Sequence, residues 1–161
     1  MTCSMFGHHD TPLSVLKYLV AVMDMLAEDK HVDKFLFGNQ GNFDRMAHKV
    51  LTESVLSKYP WIDYRVVLAY LPSVQPLDPI YHPAETIYPE GLENVPPRFA
   101  ISRRNRWMVD QSDIVLVYCR NSTGGTASVL EYAEKKGKQV WHLDSFADFM
   151  DDIMPPISPT T

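Results

Sequence analysis

Asp113-Ile114-Val115-Leu116-Val117-Tyr118-Cys119-Arg120-Asn121-Ser122-Thr123-Gly124-Gly125-Thr126 passes from a continuous apolar run into a loop rich in hydroxyls and glycine, and then into an amphipathic stretch that ends near Lys136. A run that is apolar at every position has no face to offer water. It reads as a strand covered on both sides, and such strands belong to parallel sheets layered between helices. The stretch that follows reads as a helix: Lys135 and Lys136 suit the negative end of its dipole, and Gly137 supplies its C-cap.

The same alternation continues outward. Thr2–Phe6, Lys34–Phe37, Tyr64–Leu71 and Val140–Leu143 read as further strands. Between them, Val15, Leu16, Leu19, Val20, Met23 and Leu26 follow helical spacing after Pro12, and Phe43, Met46, Ala47, Val50, Leu51 and Val55 mark a second buried stripe. Arg98–Gln111 reads as the helix that precedes the most apolar strand. The expected fold is therefore α/β, a single Rossmann-like three-layer domain with a mainly parallel five-stranded sheet over residues 1–145, followed by a short C-terminal helix and frayed tail over 146–161. Pro72–Pro97 holds seven of the twelve prolines; it reads as a lid or binding loop, or as a surface excursion.

Composition narrows the function classes. The 161 residues are 45% hydrophobic and 22% charged, which describes one soluble globular domain large enough to fold without disulfides or a structural metal. Fifteen Lys and Arg against twenty Asp and Glu give a net charge of -5, so nucleic acid is an unlikely partner on bulk charge. Two cysteines, the lack of a secretory leader and apolar runs far below the ~20 residues of a membrane span point to the cytoplasm, with no membrane partner.

Ligands of open parallel sheets bind beyond the carboxyl ends of the strands, where helix N-termini converge. Three loops fall there: Gly7-His8-His9-Asp10, Gly38-Asn39-Gln40-Gly41, and Ser122-Thr123-Gly124-Gly125-Thr126. The last is the strongest signal, because paired glycines let backbone approach an anion while hydroxyls and helix-start amides donate to it. The plainer alternative is a tight turn at Gly124 and Gly125 with Ser122 or Thr123 capping the helix. There is neither a P-loop nor a dinucleotide fingerprint. Arg103, Arg104 and Arg106 lie within four positions; on a helix Arg103 and Arg106 share a face while Arg104 points elsewhere, so at most one or two can reach the pocket as phosphate forks, the alternative being a solvated charged face. Asp44 suits the positive end of the second helix. Glu131 either faces the pocket or pairs with Lys135. His8, His9 and Asp10 lack metal-ligand spacing; no metal and no cofactor is expected to be required.

Taken together, Phe6-Gly7-His8-His9-Asp10, Gly38-Asn39-Gln40-Gly41-Asn42-Phe43-Asp44, Ser102-Arg103-Arg104-Asn105-Arg106-Trp107-Met108 and Ser122-Thr123-Gly124-Gly125-Thr126 resemble the SLOG superfamily. The likeness runs from Thr2 to about Leu143, nearest to its small YpsA-like branch of bacterial and phage proteins. The resemblance implies a Rossmann-like sheet, a homodimer, and a nucleotide or nucleotide-sugar ligand, NAD-derived or ADP-ribose-like. It also implies an alternative, an N-glycosidic hydrolase or transferase like the Lonely Guy phosphoribohydrolases or the deoxyribosyltransferases, with Arg104 and Glu131 catalytic, or Asp44 in the place of Glu131. Glu131 lies five residues beyond Thr126 where that enzyme pattern has three, which turns it through roughly 200° on a helix. A DNA-associated role follows only from a DNA-processing branch of the superfamily.

Overall fold

The computed structural model describes residues 1–154. The expected tail at Pro155–Pro159 lies outside the described residues.

Six strands form one sheet: β1 (Thr2–Gly7), β2 (Lys34–Phe37), β3 (Asp63–Val67), β4 (Thr86–Ile87), β5 (Ile114–Tyr118) and β6 (Gln139–His142), in the order β4-β3-β2-β1-β5-β6. Every neighbouring pair is parallel. The expectation of five strands is corrected here. The sixth, β4, has only two residues between Pro83 and Pro89, too few for any apolar period to show. It pairs Thr86 with Val66 and Ile87 with Val67, and the Leu68 amide donates to Ile87 O at 2.9 Å.

Alternation along the strands divides the core into two layers. Cys3, Met5, Phe35, Phe37, Val66, Ile114, Leu116 and Tyr118 face α1 (Leu16–Glu28), α2 (Asn42–Val50) and α6 (Leu143–Ile153). Phe6, Leu36, Val67, Val115 and Val117 face α4 (Ala100–Asp110) and α5 (Gly125–Lys135). The helix α2 continues through a π-turn at Leu51–Val55 into α3 (Leu56–Lys58). All five residues of β5 are buried, as expected of a central strand read as apolar throughout.

The proline-rich segment folds back onto the sheet edge. Glu85 accepts hydrogen bonds from Tyr64 Oη and the His82 amide and lies 3.2 Å from His48 Nε2, while Tyr81 and Leu92 are buried. Arg45 reaches Asp78 at 2.7 Å. These ties span β3, α2 and the segment, so it is built into the domain around β4.

At the end of β1, Gly7 sits opposite Tyr118, and a Cβ there would overlap the ring of Phe43, which is itself buried. Overpacking of this kind costs about 1–3 kcal/mol. Gly7→Ala is expected to lower unfolding free energy in urea by that amount, and Phe43→Leu in the same chain to return part of it.

Candidate functional site

The strand order reverses between β1 and β5: the chain leaves β1 toward one face of the sheet and leaves β5 toward the other. A cleft of about 410 Å³ opens at their carboxyl ends, the place where such sheets admit ligands. Gly7, His8, Gly38, Gln40, Asp44, Arg104, Thr123, Gly124, Gly125 and Thr126 of the expected residues line it. Asn39, Gly41, Arg103, Ser122 and Glu131 do not, and Glu131 is exposed on α5. His9, in a loop expected at the cleft, lines it too, and so do Asn105 and Asn121, which were not expected there. Asn105 adjoins Arg104 on α4, and Asn121 lies inside the glycine loop; as isolated amides they carry no spacing that marks them in sequence.

The glycines divide into two kinds. Gly38 leaves room for side chains: a Cβ there would lie 2.6 Å from Arg104 Nη1 and 2.9 Å from Asp44 Oδ2. Gly41 has φ of +105° and would place a Cβ 2.5 Å from the His9 backbone, while the Asn42 amide donates to His9 O at 2.8 Å. It locks two loops together instead of admitting ligand. Gly124, with φ of +102°, and Gly125 differ, because a Cβ at either would meet nothing within 4 Å. Gly124 is the N-cap of α5, and no side chain caps that helix. The first amides of α5 therefore keep their donor capacity at the positive end of an eleven-residue helix dipole. Capping by Ser122 or Thr123, the plainer alternative, does not occur.

Across the cleft stands Arg104, which is 4% exposed. Its Nη1 donates to Val67 O and its Nε to Asn105 Oδ1, both at 2.9 Å. No protein acceptor among the described residues takes up Nη2, and no carboxylate lies within 4.0 Å of the guanidinium. Burial pulls the arginine below its usual range, and the field of Asp44 pushes it back up; it remains a cation at any ordinary pH. Asp44 Oδ2 accepts the Gln40 amide at 2.7 Å, and burial raises its pKa to about 6 although Arg104 and the Gln40 and Gly38 amides draw it down.

His8 is fixed from the other side of the cleft. Its Nε2 accepts the Arg120 amide at 2.8 Å, and the Arg120 guanidinium grips Asp148 of α6 through two bonds of 2.8 and 2.9 Å. With Nε2 accepting, the neutral ring carries its proton on Nδ1.

No family model and no curated protein matches the chain. Among solved structures it is similar to DNA processing protein A from Streptococcus pneumoniae, with TM-score 0.61 and 16% identity, covering 88% of this chain and 49% of that one. It is also similar to DNA processing protein A from Helicobacter pylori, described as binding single-stranded DNA, with TM-score 0.63 and 14% identity over 88% and 64% of the two chains. The chain thus spans about half to just under two thirds of these proteins. The likeness shows the fold alone, a Rossmann-like α/β domain, and does not reach the YpsA-like branch. It also corrects the expectation that nucleic acid is an unlikely partner, since the Helicobacter protein, 64% of which is matched here, is described as binding single-stranded DNA. Net charge averages over a whole surface, whereas recognition uses one part of it. Among the described residues no helix is long and apolar enough to cross a membrane.

The Asp44 carboxyl has a folded pKa near 6 against about 3.9 in an unfolded chain. The folded state therefore holds the proton more tightly, and Asp44 costs stability as pH rises from about 4 through 6, by about 2–3 kcal/mol in full. In paired urea unfolding of the protein and Asp44→Asn, the difference should shift in favour of the variant by that order between about pH 4 and pH 7.5. A difference independent of pH would contradict the burial of this charge.

Proposed function

We propose that the cleft binds the phosphate of a nucleotide or nucleotide-sugar ligand, NAD-derived or ADP-ribose-like. One observation carries this reading: the buried Arg104 cation lacks an ion-pair partner within 4.0 Å and lines the same cleft as the uncapped N-terminus of α5. A phosphate between them would accept from Nη2 and from the Gly125 and Thr126 amides, matching a tetrahedral anion to donors already held in place. A nucleic-acid strand end presents the same group, which brings the single-stranded DNA of the Helicobacter neighbour within the chemistry of the site.

A second reading, N-glycosidic cleavage, is favoured by one observation. Asp44 is the carboxylate that lines the cleft, and its raised pKa suits a proton donor or acceptor near neutrality. Asp44 would then stabilise positive charge developing on the sugar, in place of the exposed Glu131, while Arg104 holds the phosphate. Incubation with adenosine monophosphate or NAD, followed by chromatography for free base, separates cleavage from binding: release that disappears in Asp44→Asn supports it, and no release leaves binding alone.

The binding site has a test that leaves the fold intact. Gly125 has open space at its Cβ and no left-handed φ, so Gly125→Val is expected to unfold within a few degrees of the parent. It should still lower calorimetric affinity for adenosine monophosphate by at least about tenfold, as should Arg104→Met. Unchanged affinity in both would overturn the phosphate site.

A further inference from the structure

The chain has seven arginines. Arg45, Arg65 and Arg120 each pair with a carboxylate. Arg98, Arg103, Arg104 and Arg106 have no such partner within 4.0 Å among the described residues, in a protein with five more acidic than basic side chains. Arg104 belongs to the phosphate cleft. Arg98 and Arg106 line a second cleft of about 320 Å³ between α4 and α5, which meets the first along Ile101, Asn105, Gly125 and Val129.

The residues of this second cleft fall on one face of each helix. Ile101, Asn105 and Val109 recur every four residues on α4, as do Gly125, Val129 and Tyr132 at spacings of four and three on α5. The trench therefore runs about 10–12 Å along the two helices. No acidic residue lines it. Its floor is apolar at Ile101, Val109 and Val129, and the Arg106 guanidinium lies over the Tyr132 ring at 5.3 Å. An apolar floor beside a stacked aromatic–guanidinium pair accepts the flat face of a base, and unpaired arginines at the rim accept a phosphate. Beyond Arg106 and Tyr132 the lining becomes mixed in charge, because the next cleft holds Glu90 and Asp110 beside Arg103 and Arg106. The stretch lined without an acidic residue ends there.

We infer that the trench between α4 and α5 is a second subsite that takes one further phosphate and one further base of the ligand held at Gly125. This rests on the phosphate site proposed above. The ligand is then a two-nucleotide unit, joined either by a phosphodiester, as in a short single strand, or by a pyrophosphate. Acidic groups past Tyr132 set the limit at that length.

Calorimetric titration of the full chain with 5′-phosphorylated thymidine mono-, di- and tetranucleotides, and with NAD against adenosine monophosphate, tests this. The thymidine dinucleotide or NAD should bind at least about tenfold tighter than its one-phosphate counterpart. For the thymidine series the logarithmic salt slope should steepen by about 0.7 per added phosphate contact. The tetranucleotide should add less than about threefold to the dinucleotide. Arg98→Ala with Arg106→Ala should abolish the gain while leaving binding of the one-phosphate ligand unchanged. A gain in the thymidine arm alone assigns a strand, and a gain in the NAD arm alone assigns a pyrophosphate-linked dinucleotide. No gain in either arm, a gain that survives the double substitution, or affinity still climbing at four nucleotides would overturn the subsite while leaving the phosphate site standing. Failure of every one-phosphate ligand to bind would remove the phosphate site, and the subsite would fall with it.

Discussion

A guanidinium taken out of water must recover its lost hydration from neighbouring acceptors, and Arg104 recovers only part of it. Val67 O and Asn105 Oδ1 take two of its donors, and Asp44 contributes through space. Several local features follow from accommodating that cation. Gly38 has no side chain because its Cβ would strike the guanidinium, and Asp44 is buried nearby, where burial raises its pKa and the Arg104 cation draws it down. The remaining donor capacity meets the cleft where α5 brings its uncapped amides. Two positive elements face one space without an intervening carboxylate pair, an arrangement stabilised when an anion enters.

The surrounding packing serves that geometry. Gly7 and Gly41 let β1, its exit loop and the start of α2 close upon one another, and Arg120 ties the exit of β5 to α6 through Asp148. The large core layer under α1, α2 and α6 is thereby joined rigidly to one wall of the cleft. The thinner layer of α4 and α5 supplies the other wall and the adjoining trench, so both clefts draw on the same two helices.

Much of this was legible in sequence where a pattern repeats over enough residues. Ile114–Tyr118 has five buried positions in five, and the strand-end location of the glycine loops follows from the αβ alternation. Thr86–Ile87 was not legible, because a two-residue strand between prolines carries no period, and its pairing is decided by the His48, Tyr64 and Glu85 contacts that hold the segment down. Among the arginines, helical spacing separates Arg104 from Arg103 and Arg106 but cannot say which face is inward; Gly38 and Val67 decide it. Glycines look alike in sequence, yet Gly38 and Gly41 fill packing roles while Gly124 and Gly125 stand open. Net charge averages over the surface and does not register that Arg103, Arg104 and Arg106, on one helix, have no carboxylate within 4.0 Å among the described residues.

The central claim is that Arg104 and the start of α5 grasp one anion together. Amide and arginine side-chain nitrogen–proton correlation spectra, recorded while adenosine monophosphate is added, address it directly. The account predicts that the Gly125 and Thr126 amides and the Arg104 guanidinium protons shift together along one binding curve, with the amides of α1 unmoved. Shifts confined to other surfaces, or saturation of the α5 amides without any response from Arg104, would contradict it.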